Sequence, residues 1–256
     1  MGKSDKLRIV LKIGSNVLTK GTNHISRGKI EDIARQIASL KENYEFIIVS
    51  SGAIAAAKQF VELEGKEVTV KQALASIGQP HLMRIYQENF RELGLLTSQC
   101  LLSYADFEKE QAKTNIVNTI NVLVENNYIP IINENDTVAT DEIKFGDNDK
   151  LAALTAELIG ADLLIIATNT NGIYTKASLD NETKETIESI SDLNSLSDQI
   201  TQSVSKHGTG GMTTKLEAAE IAQKAGITTW IVNGLQEQFI KEAFSKSVQF
   251  TTITTY

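Results

Sequence analysis

Short, continuously apolar runs separated by helical patterns constrain the fold of this chain more than anything else in it. Residues 7–13, 46–50, 95–102, 129–133, 163–168 and 227–232 have the length of strands. They do not alternate apolar with polar, as a strand does when one face meets water. Continuous runs are expected where both faces of a sheet are covered, and that is the situation of parallel sheets. Between the first two runs, Ile30, Ile33, Ala34, Ile37 and Leu40 recur at helical spacing, with Ser26 placed to cap the helix. Residues 70–93 carry two helical stretches, with a break predicted at Gly78-Gln79-Pro80, where proline can open the second. Leu216, Ala219, Ala222 and Ala225 make a small-residue helical face that Gly226 closes. Strand, helix, strand throughout predicts an α/β fold with helices on both sides of a parallel sheet.

Ligands of open α/β sheets bind beyond the carboxyl ends of the strands, so the residues there carry the functional reading. The first strand runs into Lys12-Ile-Gly14-Ser15, the second into Ser50-Ser51-Gly52-Ala53. The run at 129–133 leads into Asn133-Glu-Asn-Asp136, and that at 163–168 into Thr168-Asn169. Further on, Gly146-Asp-Asn-Asp149 is a carboxylate cluster, and Gly208-Thr-Gly-Gly-Met-Thr-Thr-Lys215 is a glycine-rich loop opening a helix. Glycines let successive N–H groups face an anion, and the helix adds unpaired N–H groups and the positive end of its dipole. The loop is not a Walker A motif, because Lys215 follows Thr214 and precedes Leu216, and no strand ends in a dinucleotide fingerprint. Taken singly, such stations are ordinary turns and solvated lysines; what matters is that they share one rim of one sheet.

The rim combines lysines and glycine turns, suited to polyphosphate, with Ser51, Asn133, Asp136 and Asn148, suited to a ligand bearing an amino group and a carboxylate. A carboxylate attacking ATP sets anion against anion. At ~4 Å and an effective dielectric of about 20, each charge pair is worth roughly 4 kcal/mol. Lysines on the transferring phosphoryl oxygens are then the natural catalysts, and no strong general base is needed because the nucleophile is already ionised. His24, His81 and His207 are accordingly given no catalytic part.

Composition fits this picture. The 256 residues suffice for one large α/β domain, and an apolar fraction of 41% with 22% charged residues is that of an ordinary globular protein. A net charge of −7 argues against a nucleic-acid surface. Cys100 is the only cysteine, which excludes an internal disulfide and a cysteine-based zinc site; it is expected to be a buried, inert thiol. No apolar run reaches the roughly 18 residues of a membrane span, and no signal-peptide core is present, so a cytoplasmic location is expected. Residues 176–206 are polar and weakly patterned, an insertion, a flap or a surface excursion.

Together, Lys12-Ile-Gly-Ser, Ser51-Gly-Ala-Ile-Ala, Gln72-Ala-Leu-Ala-Ser-Ile-Gly-Gln79, Ile132-Asn-Glu-Asn-Asp136, Gly146-Asp-Asn-Asp149 and the loop ending in Lys215 resemble the glutamate 5-kinase family of the amino acid kinase superfamily, over residues 6–250. The resemblance implies a three-layer αβα sandwich around a mostly parallel central sheet. It also implies a single kinase domain over residues 1–256 without the C-terminal PUA module that many members carry. The implied reaction is ATP-dependent phosphorylation of the L-glutamate γ-carboxylate to L-glutamyl 5-phosphate, the first step of proline synthesis. By position, Lys12 and Lys215 would stabilise the phosphoryl group in flight, and Asp149 would hold both ammonium groups. Ser51, Gly52, Asn133, Asp136, Asp147 and Asn148 would line the glutamate pocket. Lys12, Gly14, Thr168, Asn169, Thr209, Gly210, Gly211, Met212 and Lys215 would bind nucleotide, with Mg2+ bridging its phosphates and no direct protein ligand for the metal assigned. The implied partners are glutamate, ATP and proline as feedback inhibitor, in a homo-oligomer (dimer or tetramer), with neither nucleic acid nor membrane. The chain departs from the family pattern at Asn169, where aspartate is usual, and at Ala57, where glycine is common.

Two other readings use the same residues. One is a superfamily kinase acting on N-acetylglutamate, aspartate, carbamate or a nucleoside monophosphate; the acidic Asp136 favours a free amino group instead. The other is a regulator that binds ligand without transfer. Retention of both lysines and Asp149 argues against it, since such charged groups burden stability without packing.

Overall fold

The computed structural model describes residues 6–65, 67–139, 148–179, 181–193 and 211–255. β1 (Leu7–Ile13) passes through the short α1 (Ser15–Thr19) into α2 (Arg27–Leu40), β2 (Tyr44–Ser50), α3 (Ala53–Ala57) and the long α4 (Val68–Arg91). β3 (Leu96–Leu102), α5 (Glu110–Glu125), β4 (Tyr128–Glu134), α6 (Asp149–Ile159) and β5 (Leu163–Thr168) follow. The chain continues through β6 (Ser189–Ile190), α7 (Met212–Lys224), β7 (Thr228–Asn233), α8 (Phe239–Phe244) and β8 (Thr251–Ile253). Among the described residues these strands make one sheet, ordered β3-β4-β2-β1-β5-β7-β8-β6, in which only the β7–β8 pairing is antiparallel.

The two faces of the sheet follow from strand alternation. Ile9, Leu11 and Ile13 of β1, Phe46 and Ile48 of β2 and Ile131 of β4 pack against α2, α4 and α8. Val10, Ile47, Val49, Ile132, Leu164 and Ile166 face the other way, against α5, α6 and α7. This alternation decides where polar residues near the strand ends point. Lys12 shares its face with Val10 and therefore with α6 and α7. Asn133 shares its face with Ile131, and Ser50 with Ile48, which directs both toward α4.

α4 departs from the predicted pair of helices: it runs unbroken through Gly78-Gln79-Pro80. Pro80 forfeits one backbone hydrogen bond and crowds the preceding turn. Packing overrides that local cost, because Leu82, Met83, Ile85, Tyr86 and Phe90 continue the buried face beyond it. Gly78 lets the helix touch α3: a Cβ there would stand 1.8 Å from the Ala53 carbonyl oxygen and 2.6 Å from the Ala57 nitrogen. Glycine is the one residue that permits this approach.

β3 also differs from its expectation. It is an edge strand, paired only with β4, and Leu96, Gln99 and Leu101 are exposed where cover on both faces was predicted. Cys100 on this strand is half-buried, and burial raises its thiol pKa. His81 is half-buried and stacks on Phe60, with ring centroids 4.2 Å apart. Part of the polar 176–206 stretch joins the sheet as β6, beside β8; residues 194–206 lie outside the described residues. No helix among the described residues is long and apolar enough to cross a membrane.

Candidate active site

Lys12, near the end of β1, and Lys215, in the first turn of α7, converge on one carboxylate. Asp149, the first residue of α6, takes the Lys12 ammonium on Oδ1 and the Lys215 ammonium on Oδ2, the latter at 2.9 Å. Asp149 is 0% exposed, Lys12 4% and Lys215 7%. A lysine in the first turn of a helix opposes the helix dipole, so Lys215 is stable there because an anion faces it. Thr214 Oγ1 lies 3.1 Å from Asp149 Oδ2 and 2.9 Å from the Gly211 carbonyl, which fixes the turn that carries Lys215. Two ammonium groups around one carboxylate leave the cluster with an excess positive charge. In a partly desolvated cleft such a charge attracts a phosphoryl group strongly.

β1 lies between β2 and β5, the point where the sheet's connections part in opposite directions. On the β2–β4 side stand the residues expected to take the acceptor. Ser51 N–H donates to the Ile13 carbonyl at 3.1 Å, binding the end of β2 to the end of β1. Gly52 follows with φ +107°, a left-handed turn that opens α3. Asn148 Nδ2 donates to the Ser50 carbonyl and to Asn133 Oδ1, both at 2.8 Å, so the start of α6 and the end of β4 are joined through side-chain amides. Asp136 lies in the turn after β4, where burial pushes its carboxyl up to about 6.

On the β5–β7 side, the Thr168 carbonyl accepts from Gly234 N–H at 2.7 Å, and Thr168 Oγ1 lies 3.4 Å from Asn169 Oδ1. Asn169 is exposed, and Met212 packs against the small third core of Ile173, Ile190, Ala219, Ile231 and Ile253. Gly211 caps α7 in extended conformation. Gly14 sits close under the Lys12 ammonium, a Cβ there falling 3.5 Å from Nζ. Asp147, Thr209 and Gly210, together with His207, lie outside the described residues.

The structure adds residues that sequence reasoning passed over. Thr214 supports the lysine turn. Gln79 Oε1 accepts from Asn133 Nδ2 at 2.8 Å, and Tyr86 Oη lies 2.9 Å from Ser50 Oγ; both come from α4. Burial raises the Tyr86 pKa, keeping it a neutral hydrogen-bonding group. The only available signal was their helical spacing with Gln72 and Ser76. No group of three or more His, Cys, Asp or Glu suited to a metal occurs among the described residues, and both Asp149 oxygens face ammonium groups. That donor set fits a magnesium ion carried in on nucleotide phosphates, which commonly hold Mg2+ with little help from protein. Such an ion would spread phosphate charge, and Lys12 and Lys215 would be the residues here able to add positive charge beside it.

Lys12, Asp149 and Lys215 thus form one buried ion cluster at the switch point of an αβα sandwich. This chain belongs to the amino acid kinase family, whose model matches residues 7–233. Among curated relatives, the glutamate 5-kinases of Escherichia coli (strain K12 / DH10B) and Shigella boydii serotype 18 are each 41% identical over 235 residues, 90% of this chain. The chain spans 64% of the length of these relatives. The fold is shared with the UMP kinase of Ureaplasma parvum (TM-score 0.65, 18% identity, 98% of this chain and 99% of that one). It is also shared with the carbamate kinase of Giardia lamblia bound to AMP-PNP (TM-score 0.68, 17% identity, the same coverage).

Proposed function

We propose that this chain transfers the γ-phosphoryl group of ATP to the γ-carboxylate of L-glutamate, forming L-glutamyl 5-phosphate and ADP. The observation that carries the reading is the convergence of Lys12 and Lys215 on Asp149, beside the side-chain amides at the end of β4 and the start of α6. A glutamate carboxylate oxygen attacks the γ-phosphorus as the bond to the β-phosphate oxygen breaks. The two lysines, released in part from Asp149, neutralise charge on the transferring oxygens. Asp149 stays ionised and fixes their positions. Asp136 pairs with the substrate ammonium. Identity to glutamate 5-kinases supports this acceptor and a place at the start of proline synthesis; inhibition by proline and a cytoplasmic homo-oligomer are further parts of the proposal.

The test is ADP release with Mg2+ and separate acceptors, with acyl phosphate trapped by hydroxylamine. Glutamate should give the hydroxamate. Turnover of N-acetylglutamate, aspartate, carbamate or UMP in its place would overturn the reading.

Asp136 supplies a pH signature. Its raised pKa makes it neutral below about pH 6, so it loses attraction for the ammonium there. The KM for glutamate should be flat from pH 7 to 9 and climb about tenfold per unit below 6, and in Asp136→Asn it should be high and flat. Stability runs the other way. A carboxyl whose folded pKa is raised stabilises below its unfolded value and loses that contribution as pH rises through about 6. A KM profile identical in wild type and Asp136→Asn would remove Asp136 from the pocket.

A further inference from the structure

Gln72, Ser76 and Gln79 recur along α4 at helical spacing, and all three reach the same feature, the end of β4 and its following turn. Gln72 Nε2 donates to the Ala139 carbonyl at 3.2 Å, Ser76 Oγ lies 2.9 Å from Thr137 Oγ1, and Gln79 Oε1 accepts from Asn133 Nδ2 at 2.8 Å. Asp136 lies on the turn they hold.

The amides at the inner end of this stripe have no freedom of orientation. The Ser50 carbonyl can only accept, so the Asn148 end that meets it is Nδ2. Glu134 N–H can only donate, at 2.9 Å, so the Asn133 end that meets it is Oδ1. Asn148 Nδ2 also donates to that oxygen. Asn133 must then present Nδ2 to Gln79, whose facing atom is Oε1. Two backbone groups thus set the amide orientations, and the Gln79 oxygen is the acceptor that the inner Asn133 N–H then requires. Both Asn148 N–H bonds are consumed within it, which leaves Asn148 Oδ1, an acceptor, as the end outside the chain. Gln79 is 8% exposed, and its Nε2 has no partner among the described residues.

We propose that Gln79 is a positioning residue for the acceptor: by completing the bonds of the Asn133 amide, and through it Asn148, it keeps Asn148 Oδ1 as the end outside the chain, to receive the substrate ammonium. This rests on the proposed glutamate kinase reading and assigns α4 a part in its specificity. Without the Gln79 oxygen, Asn133 keeps a buried donor with no acceptor, and turning its amide would break the bonds to Glu134 and Asn148.

The experiment is a double-mutant cycle of Gln79→Met with Asn133→Ala, run beside wild type. Gln79→Met should raise the glutamate KM about 10–100-fold, the scale of a buried donor left unpaired, with the ATP KM within about threefold of wild type. In the Asn133→Ala background the same change should add less than about threefold, because coupled residues are not additive. Gln79→Glu keeps an accepting oxygen and should recover the KM to within about fivefold. If Gln79→Met does not fold, Gln79→Ala enters the same cycle. An unchanged glutamate KM, full additivity with Asn133→Ala, or equal loss in Gln79→Glu and Gln79→Met would each overturn the proposal while leaving the kinase reading intact. Failure of wild type to phosphorylate glutamate would overturn both.

Discussion

Asp149→Asn should lower the thermal midpoint of the nucleotide-free protein by about 10 °C and reduce kcat by about 10³-fold or more. Asp149 is the shared counter-ion of two ammonium groups that are almost fully buried. Removing it leaves two like charges facing each other in a desolvated site. Breaking a buried pair costs about 3–5 kcal/mol, and in a chain of this size each kcal/mol moves the midpoint by about 2–4 °C. ATP should restore more than it does in wild type, because polyphosphate supplies the missing negative charge. The rise in midpoint with saturating nucleotide should therefore be larger for Asp149→Asn than for wild type. Differential scanning fluorimetry with and without Mg-ATP checks this. An equal nucleotide-induced shift in both proteins would mean that the two lysines do not meet the phosphates.

Lys12→Ala and Lys215→Ala should behave differently from that variant. Each removes one ammonium and leaves Asp149 paired with the other, so the fold survives with a midpoint within about 5 °C of wild type. The loss appears in turnover. One charged donor taken from a transferring phosphoryl group costs about 10²–10⁴-fold in kcat, whereas the glutamate KM should move by less than about fivefold. Replacements on the acceptor side, Asn148→Ala among them, should show the reverse, a raised glutamate KM with smaller changes in kcat. Steady-state kinetics with both substrates varied separates the two patterns. Equal effects of all these substitutions on both parameters would refute the division of labour across β1.

The sequence made the sheet legible because its strands are continuous apolar runs, and β1 and β5 coincide with the predicted residues 7–13 and 163–168. Glycine turns and charged residues marked Lys12, Asp149 and Lys215 as separate stations, whereas their meeting on one carboxylate was an implication of the family resemblance. Where local signals misled, tertiary packing was the reason. Gly78 and Pro80 read as a break, yet Gly78 is there for the contact with α3, and the apolar face carries the helix across Pro80. β6 and β8 are too short, at two and three residues, to show any period. Gln79 and Tyr86 were invisible as functional residues because polar side chains on a helix usually meet solvent. Their partners, Asn133 and Ser50, lie 54 and 36 residues away, and only strand alternation places them on the face that α4 covers.

Lys12 lies on the seam strand β1 and meets Asp149 of α6 and Lys215 of α7 there, so under the proposed reading one helix and the loops after β2 and β4 would recognise the phosphoryl recipient, with the donor held on the opposite flank. Such a layout separates two evolutionary tasks. A descendant could be retailored for a different recipient by rewriting the inner stripe of that helix and the turn it grips, with the charge-quenching apparatus inherited untouched.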